Sequence, residues 1–425
     1  MDSKKLKNVI LKIKWLSFLA MGKTSPNPPV AAVITNSSGD ILAFGNTQMV
    51  GFSHAEREAY RDLDQKISMG LDTQAESKQG HNLFVSLEPC THTGKTPPCR
   101  DLVIERSPSK VMLGWKDPNP LVLSGDWEAY QKQGIEIRLH PLIAQSSYPF
   151  LHGFFQRIKK NRPWVWVKSA ITSDGFYATH EPSNQPISSS ESQFYLQMLR
   201  AKFDAIVVGP KTMQVDEPGL DFRLNEDDFH SKGEVSKIDF GKIAEFFSPG
   251  EQMLDSLFAE SNAECYSEHV SNLNSYQPWR VFILKEGLEI ASSFMEKQKA
   301  LNERYGKKLC LFYLVTSSHK YGTPDLTHFS ELSTLSDFPI LKITDMDSDL
   351  FFKDLTNHGV NTVILEAGSF VWNFVKENLD VNDCILTIQS EKEWKEGKSF
   401  LGLNQFEKQI QYQVGPDLWQ IEMKS

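Results

Sequence analysis

Cysteine is scarce: the 425 residues contain five, Cys90, Cys99, Cys265, Cys310 and Cys384. So few, so far apart, do not make the disulfide framework of a small secreted scaffold, and a reducing, cytoplasmic setting is expected. Excess positive charge is also missing. A formal charge of −9 lacks the basic footprint that nucleic-acid binding needs, although a few arginines in a pocket would still hold an anionic small molecule. No apolar run reaches the roughly 20 residues of a membrane span, so neither nucleic acid nor membrane is an expected partner. Lys12 and Lys14 interrupt the N-terminal apolar stretch. Leu6, Val9, Ile10, Ile13, Leu16 and Ala20 instead recur at helical spacing, which predicts an amphipathic first helix rather than a signal peptide. Repeats at a fixed period are absent as well.

What is present is ordinary globular text, 40% hydrophobic and 23% charged, long enough for two or three domains. Strands are predicted at 30–35, 40–45, 82–86, 110–114 and 135–139, with helices at 55–63 and 127–133. Strands alternating with helices predict an α/β layer domain over 1–150. A basic, aromatic stretch at 151–162 reads as a linker. A second α/β unit then fills 163–425, with buried-strand candidates at 164–171, 205–209, 281–284, 310–315 and 362–365. Between about 225 and 277 no period or turn chemistry is consistent, and an insertion is expected there.

The chemistry is concentrated in His54-Ala55-Glu56 and in Glu88-Pro89-Cys90 followed, after eight residues, by Cys99. One histidine and two cysteines make a three-ligand zinc site with one position left open, the arrangement of catalytic rather than structural zinc. Glu56, two residues beyond the histidine, is placed to move protons without binding the metal. Histidine, glutamate and a later Pro-Cys pair are the signature of zinc nucleobase deaminases, here with a C-x8-C spacing wider than the usual C-x2-C. A structural zinc site would need a fourth ligand, and only His92 lies near, as a spare ligand or a substrate contact. Gly94-Lys95-Thr96 looks like the end of a phosphate loop, but Pro89 stands where that motif needs its first glycine.

The run Glu88 to Cys99, with Ser25-Pro26-Asn27-Pro28, His54-Ala55-Glu56 and Asp117-Pro118-Asn119-Pro120, resembles the RibD family of bifunctional riboflavin-biosynthesis proteins. The likeness continues through Lys168-Ser169-Ala170-Ile171-Thr172-Ser173-Asp174-Gly175, Leu199-Arg200-Ala201, Asp216-Glu217-Pro218, Arg223 and Glu366-Ala367-Gly368. The resemblance implies a cytidine-deaminase-like three-layer α/β/α domain followed by a dihydrofolate-reductase-like α/β domain. It implies two reactions on a phosphorylated pyrimidine: zinc-dependent deamination of 2,5-diamino-6-ribosylamino-4(3H)-pyrimidinone 5′-phosphate, then NADPH-dependent reduction of the ribosyl chain to a ribityl chain. By the same resemblance Asn27 helps hold the deaminase substrate and the 93–96 loop lies near its phosphate. Asn184, Arg200, Leu220, Arg223 and Glu366 hold the reductase substrate. Ala170, Pro186, Thr212, Asp216, Gly368, Ser369 and Phe370 hold NADPH, and Lys168 and Asp174 match further family positions. Pairing of the reductase domains into a homo-oligomer, dimer or tetramer, is implied too.

The physical chemistry of those residues is compatible with these roles. Arginines hold a phosphate through forked hydrogen bonds, a glutamate accepts from sugar hydroxyls, and backbone amides at a helix start can face a diphosphate. Some positions depart from the family pattern: Asn46-Thr47-Gln48-Met49 replaces a histidine and a basic residue, Ala31 a glycine, and Pro186 an aromatic residue expected against the cofactor. The acidic end of a later strand becomes Lys285-Glu286 and a glycine pair becomes Ala367-Gly368. Two other functions fit the motifs less fully: a monofunctional deaminase with a degenerate second domain, and a non-enzymatic zinc-bound nucleotide sensor, which would have no use for Glu56.

Overall fold

A computed structural model describes residues 2–70, 80–93, 97–120, 122, 127–180, 186–223, 240–247, 272–285, 287–306, 309–315, 338–343, 346–399 and 408–424. They fall into two compact units, residues 2–160 with the helix Phe240–Phe247, and the remainder from Asn161 onward. Among them no helix is long and apolar enough to cross a membrane.

The first unit runs α1 (Ser3–Ala20), β1 (Ala31–Asn36), β2 (Ile41–Asn46), α2 (Ala55–Ser68), β3 (His81–Leu87), α3 (Cys99–Arg106), β4 (Lys110–Trp115), α4 (Glu128–Lys132), β5 (Glu136–Leu139) and α5 (Pro141–Lys160). Its sheet has the order β2-β1-β3-β4-β5, antiparallel across the first three strands and parallel across the last three. β1 is buried along its whole length, which requires helices on both faces. α1 packs on α5, with Phe18 and Phe150 edge-on at 6.3 Å, and α2 packs on β1, β2 and α3. Ala32, Ile34, Leu83, Val85 and Leu113 join Ala59, Tyr60 and Leu63 of α2 in one core. Gly45 decides how close α2 comes. A Cβ there would lie 2.4 Å from Glu58 Cβ and 2.5 Å from the Ala59 nitrogen, so only glycine allows this approach.

Residues 151–160, read above as linker, are the second half of α5. Phe150, Leu151, Phe154 and Phe155 are buried at helical spacing, while Arg157, Lys159 and Lys160 lie in the last turn, where cations suit the helix dipole. The basic, aromatic text that reads as a boundary is thus the amphipathic end of a helix, which runs on through Pro149 although proline removes a hydrogen bond and normally ends a helix. The segment 225–277 is described only at 240–247 and 272–277. Its helix Phe240–Phe247 groups with the first unit, burying Ile243, Ala244, Phe246 and Phe247.

The second unit runs β6 (Trp164–Ile171), β7 (Phe176–Ala178), α6 (Ser190–Arg200), β8 (Ala205–Val208), α7 (Pro210–Asp216), β9 (Trp279–Lys285), α8 (Ser292–Tyr305), β10 (Cys310–Val315), β11 (Ile340–Ile343), α9 (Ser348–Asn357), β12 (Thr362–Glu366), α10 (Ser369–Val375), β13 (Cys384–Gln389), β14 (Lys398–Ser399), β15 (Lys408–Val414) and β16 (Asp417–Met423). A nine-stranded sheet has the order β11-β10-β9-β8-β12-β6-β13-β16-β15, and β14 pairs with β7 in a small ribbon. The seven strands from β11 to β13 are parallel. Their near-continuous apolar text, such as Ala205–Val208 and Cys310–Val315, suits strands covered on both faces. β15 and β16 close the sheet as an antiparallel hairpin, with Gly415 taking the left-handed φ of 57° that its two-residue turn requires. Because β6, β8 and β12 are parallel neighbours, their carboxyl ends open on one edge of the sheet. Ligands of α/β sheets gather at such edges.

Candidate active sites

The first site is built on two helix starts. His54 is the residue that precedes α2, and Cys99 is the first residue of α3 after Pro98. Cys90 follows β3, and the Cys99 backbone N–H donates to its sulfur at 3.4 Å. The His54 Nδ1 lies 3.5 Å from both the Cys90 and the Cys99 Sγ. A tetrahedral zinc with Zn–S of about 2.3 Å and Zn–N of about 2.0 Å sets its sulfur and nitrogen ligands about 3.5 Å apart. The donor set therefore fits zinc in type and in spacing. His54, Cys90 and Cys99 are also the one cluster among the described residues that could hold a metal ion.

The electrostatics follow from burial and from this cluster. The hydrogen bond from Cys99 draws the Cys90 thiol down and leaves Cys99 itself well above its ordinary value. The Cys90 contact holds His54 up, towards the charged form. Glu56 is 3% exposed. Burial pushes its carboxyl up to about 6, with the nearby Cys90 adding to the effect. That value is useful for a group that must both take and return a proton near neutrality.

These residues open into a cavity of about 310 Å³, whose wall also carries Asn27, His92, Asp117, Asn119, Phe52, Phe154 and Arg157. Asn27 is fixed through its backbone, which donates to Thr24 O and accepts from the Thr24 hydroxyl. His92 is exposed at the wall and belongs to no metal cluster. Asp117 is pushed up to about 6 by burial while its side chain caps the Asn119 amide. Glu88 accepts from the Trp127 indole at 2.8 Å, a structural duty. Residues 94–96 of the expected phosphate loop lie outside the described residues. The Asp117–Pro120 text offered a signal for Asp117 and Asn119. Phe154 and Arg157 offered none, because they stand in the stretch read as linker.

The second cavity, about 480 Å³, lies at the carboxyl ends of β6, β8 and β12. It brings together Lys168, Ala170, Pro186, Arg200, Thr212, Asp216, Glu366, Gly368, Ser369 and Phe370 of the residues singled out from sequence. The Arg200 Nε donates to Glu366 Oε1 at 3.1 Å, and a second guanidinium nitrogen contacts the same oxygen. Burial alone would raise Glu366, but Arg200 and Lys168 together hold its carboxyl below the usual range. Burial lowers Lys168, and burial with the Glu366 charge raises Asp216. Gly209 before α7 packs so closely that a Cβ would meet Val371 at 2.7 Å. Gly209 and Gly368, the residues that precede α7 and α10, both stand on the cavity wall.

Three expected positions are not on this wall. Leu220 is fully buried with a left-handed φ of 56°. Arg223 is half-exposed and pairs with Asp221 at 3.4 Å. The Asp174 carboxylate accepts from the backbone amides of Trp394 and Lys395. Asn184 lies outside the described residues. Tyr177 and Trp394 line the cavity without any sequence reading having pointed to them.

Comparison with known proteins agrees with both halves. The chain matches the cytidine and deoxycytidylate deaminase zinc-binding region over 11–115 and the RibD C-terminal domain over 163–247. It is 36% identical over 204 residues to the riboflavin biosynthesis protein RibD of Actinobacillus pleuropneumoniae, covering 48% of this chain and 51% of that protein. The Escherichia coli protein of the same name is 33% identical over 48% of this chain and 53% of its own length. The chain thus spans about half the length of the curated relatives it matches. The RibD of Chlamydia muridarum aligns further, at 29% identity over 68% of this chain and 73% of the relative. Two solved structures share the fold across the whole chain. The deaminase/reductase of Thermotoga maritima has a TM-score of 0.68 at 23% identity, with 99% of each chain covered. Acinetobacter baumannii RibD has a TM-score of 0.70 at 20% identity, with 100% of each covered. Both domain matches thus stand in order on one chain, which is similar to RibD proteins in sequence over its first half and shares the fold of solved RibD structures.

Proposed function

We propose that the chain is a bifunctional enzyme of riboflavin biosynthesis. It removes the 2-amino group of 2,5-diamino-6-ribosylamino-4(3H)-pyrimidinone 5′-phosphate and then reduces the ribosyl side chain to give 5-amino-6-(5-phosphoribitylamino)uracil. The observation that carries the reading is the pairing of a three-donor zinc cluster with a buried carboxyl, on a chain whose second unit also keeps a charged cavity at its strand ends.

In the first unit His54, Cys90 and Cys99 would hold zinc, which supplies a nucleophilic water at neutral pH. Glu56 would take a proton from the water whose oxygen adds to C2 and place it on the ring nitrogen. It would then carry the proton of the resulting hydroxyl to the amine, so that the C2–N bond breaks as the carbonyl forms, water is consumed and ammonia leaves. Asn27 and Asn119 offer amide groups to the ring edge, and Arg157 places a cation on the same wall. In the second unit NADPH would lie along Ala170, Thr212, Asp216 and the 368–370 turn and supply the hydride. Arg200 and Glu366, locked together, present donors and an acceptor to the sugar and phosphate of the substrate. The protein is proposed to act in the cytoplasm as a dimer or tetramer, which light scattering of the purified protein would read directly.

Ammonia release from the diaminopyrimidine tests the first half. Activity should disappear on removal of zinc by a chelator and return on its restoration. Chelator-resistant turnover would contradict the zinc assignment.

A further inference from the structure

The cavity at the strand ends of the second unit has an aromatic wall that the residues assigned so far do not include. Trp394 comes from the loop between β13 and β14, and Tyr177 from β7 beside it. We infer that Trp394 is a stacking platform for the planar heterocycle of a nucleotide bound in this cavity, held in place by Asp174 as a positioning residue. The inference rests on the reading of the second unit as a nucleotide-dependent reductase and deepens it.

The first argument is the way the loop is tied down. Exposed loops are usually held by few hydrogen bonds and tolerate motion, but this one is fastened along its length. The Ser390 amide donates to Ile171 O at 2.9 Å. The Ser173 amide and hydroxyl both donate to Lys392 O, at 2.8 and 2.9 Å. One Asp174 oxygen accepts the amides of Trp394 and Lys395 at 3.0 and 2.7 Å, while the other accepts the Thr172 hydroxyl. The Lys392 ammonium contacts Pro186 O, and β14 pairs with β7, Lys398 opposite Ala178. The Asp174 carboxylate is therefore spent on fixing the backbone at the residue whose indole lines the cavity. Charge-assisted hydrogen bonds of this type are roughly twice as strong as neutral ones, and two of them bracket one side chain.

The second argument is the composition of the wall. Around Trp394 and Tyr177 the wall carries charged side chains (Lys168, Arg200, Asp216, Glu366) and aliphatic ones, with Phe370 its one other aromatic, and Pro186 has no π-face to offer. A nucleotide carries phosphates and hydroxyls for the first group and a flat ring that wants an aromatic face. Ser169 on the same wall is 3% exposed and its hydroxyl has no hydrogen-bond partner among the described residues, an acceptor and donor left for a ligand. Nicotinamide and a pyrimidine share the planar chemistry that an indole recognises, since stacking tolerates any ring with a π-face.

The test uses the full-length protein, titrated by calorimetry separately with NADP+ and with uridine 5′-monophosphate, which report the cofactor ring and a pyrimidine ring. Trp394→Ala should bind one of the two about tenfold more weakly than wild type, and Trp394→Phe, which keeps a ring, at most about threefold. The probe that responds identifies the source of the ring. Ligand-induced quenching of tryptophan fluorescence should be smaller in Trp394→Phe than in wild type. Asp174→Asn should weaken the same ligand in the wild-type background and add little in the Trp394→Ala background, because both changes remove one contact. Equal affinities of wild type and Trp394→Ala for both probes would overturn the platform while leaving the reductase reading intact. Additive losses in the double variant would overturn the positioning role of Asp174. If wild type itself bound neither probe, the platform and the reductase reading would fall together.

Discussion

Replacing Glu56 by Gln separates proton transfer from everything else the side chain does. The amide has nearly the same volume, so the packing around a group that is 3% exposed is kept, and the three zinc donors are untouched. A positioned general acid–base contributes about 10²- to 10⁴-fold, so ammonia release should fall by about that factor, or about 3–5 kcal/mol of barrier, with zinc content unchanged. Stability gives a second readout, in metal-free protein. Burial raises the Glu56 carboxyl to about 6 from an ordinary 4.5, which corresponds to about 2 kcal/mol. A carboxyl raised in the folded state binds its proton more tightly there than in the unfolded chain. Its ionisation therefore opposes folding, with no cost below pH 4.5 and the full cost above pH 6. Metal-free Glu56→Gln should thus be up to about 2 kcal/mol more stable than metal-free wild type at pH 7 and equal to it at pH 4, by urea denaturation. Unimpaired ammonia release, or loss of zinc from the variant, would refute the role given to Glu56.

Two other outcomes follow from the same geometry. Gly45→Ala would force a Cβ into the backbone of α2 and should cost about 2–3 kcal/mol of first-unit stability by thermal denaturation. It should depress ammonia release by displacing His54 and Glu56 while NADP+ binding survives. Arg200→Ala strips Glu366 of its forked partner and should remove about 2 kcal/mol of substrate-binding interaction, roughly 30-fold in reductase kcat/KM, with ammonia release unchanged. A loss in deamination instead would mean that the two activities are not divided between the units as proposed.

The zinc site was legible because its chemistry is local: donor types and spacings are written directly in the chain, and the helix starts at His54 and Cys99 follow from them. The parallel strands were legible as apolar runs. Other features depend on partners far away in sequence. The basic, aromatic text of 151–162 looked like a boundary, and only the burial of Leu151, Phe154 and Phe155 shows that the helix carries on through it. Asp174 has the sequence context of a binding residue, yet its carboxylate serves amides about 220 residues downstream. Leu220 carries a left-handed backbone and a buried side chain, a packing role that no motif announces. The hairpin of β15 and β16 was not read, although the alternation from Gln409 to Val414 is that of a half-buried strand and Gly415-Pro416 marks its turn.

The central claim is that one chain carries two working sites. The direct measurement supplies zinc-replete protein with the deaminated phosphoribosylaminouracil and follows NADPH oxidation. Oxidation that depends on that substrate is the predicted result. No oxidation, from protein that still releases ammonia from the diaminopyrimidine, would contradict the claim and leave a deaminase with a second domain that does no chemistry.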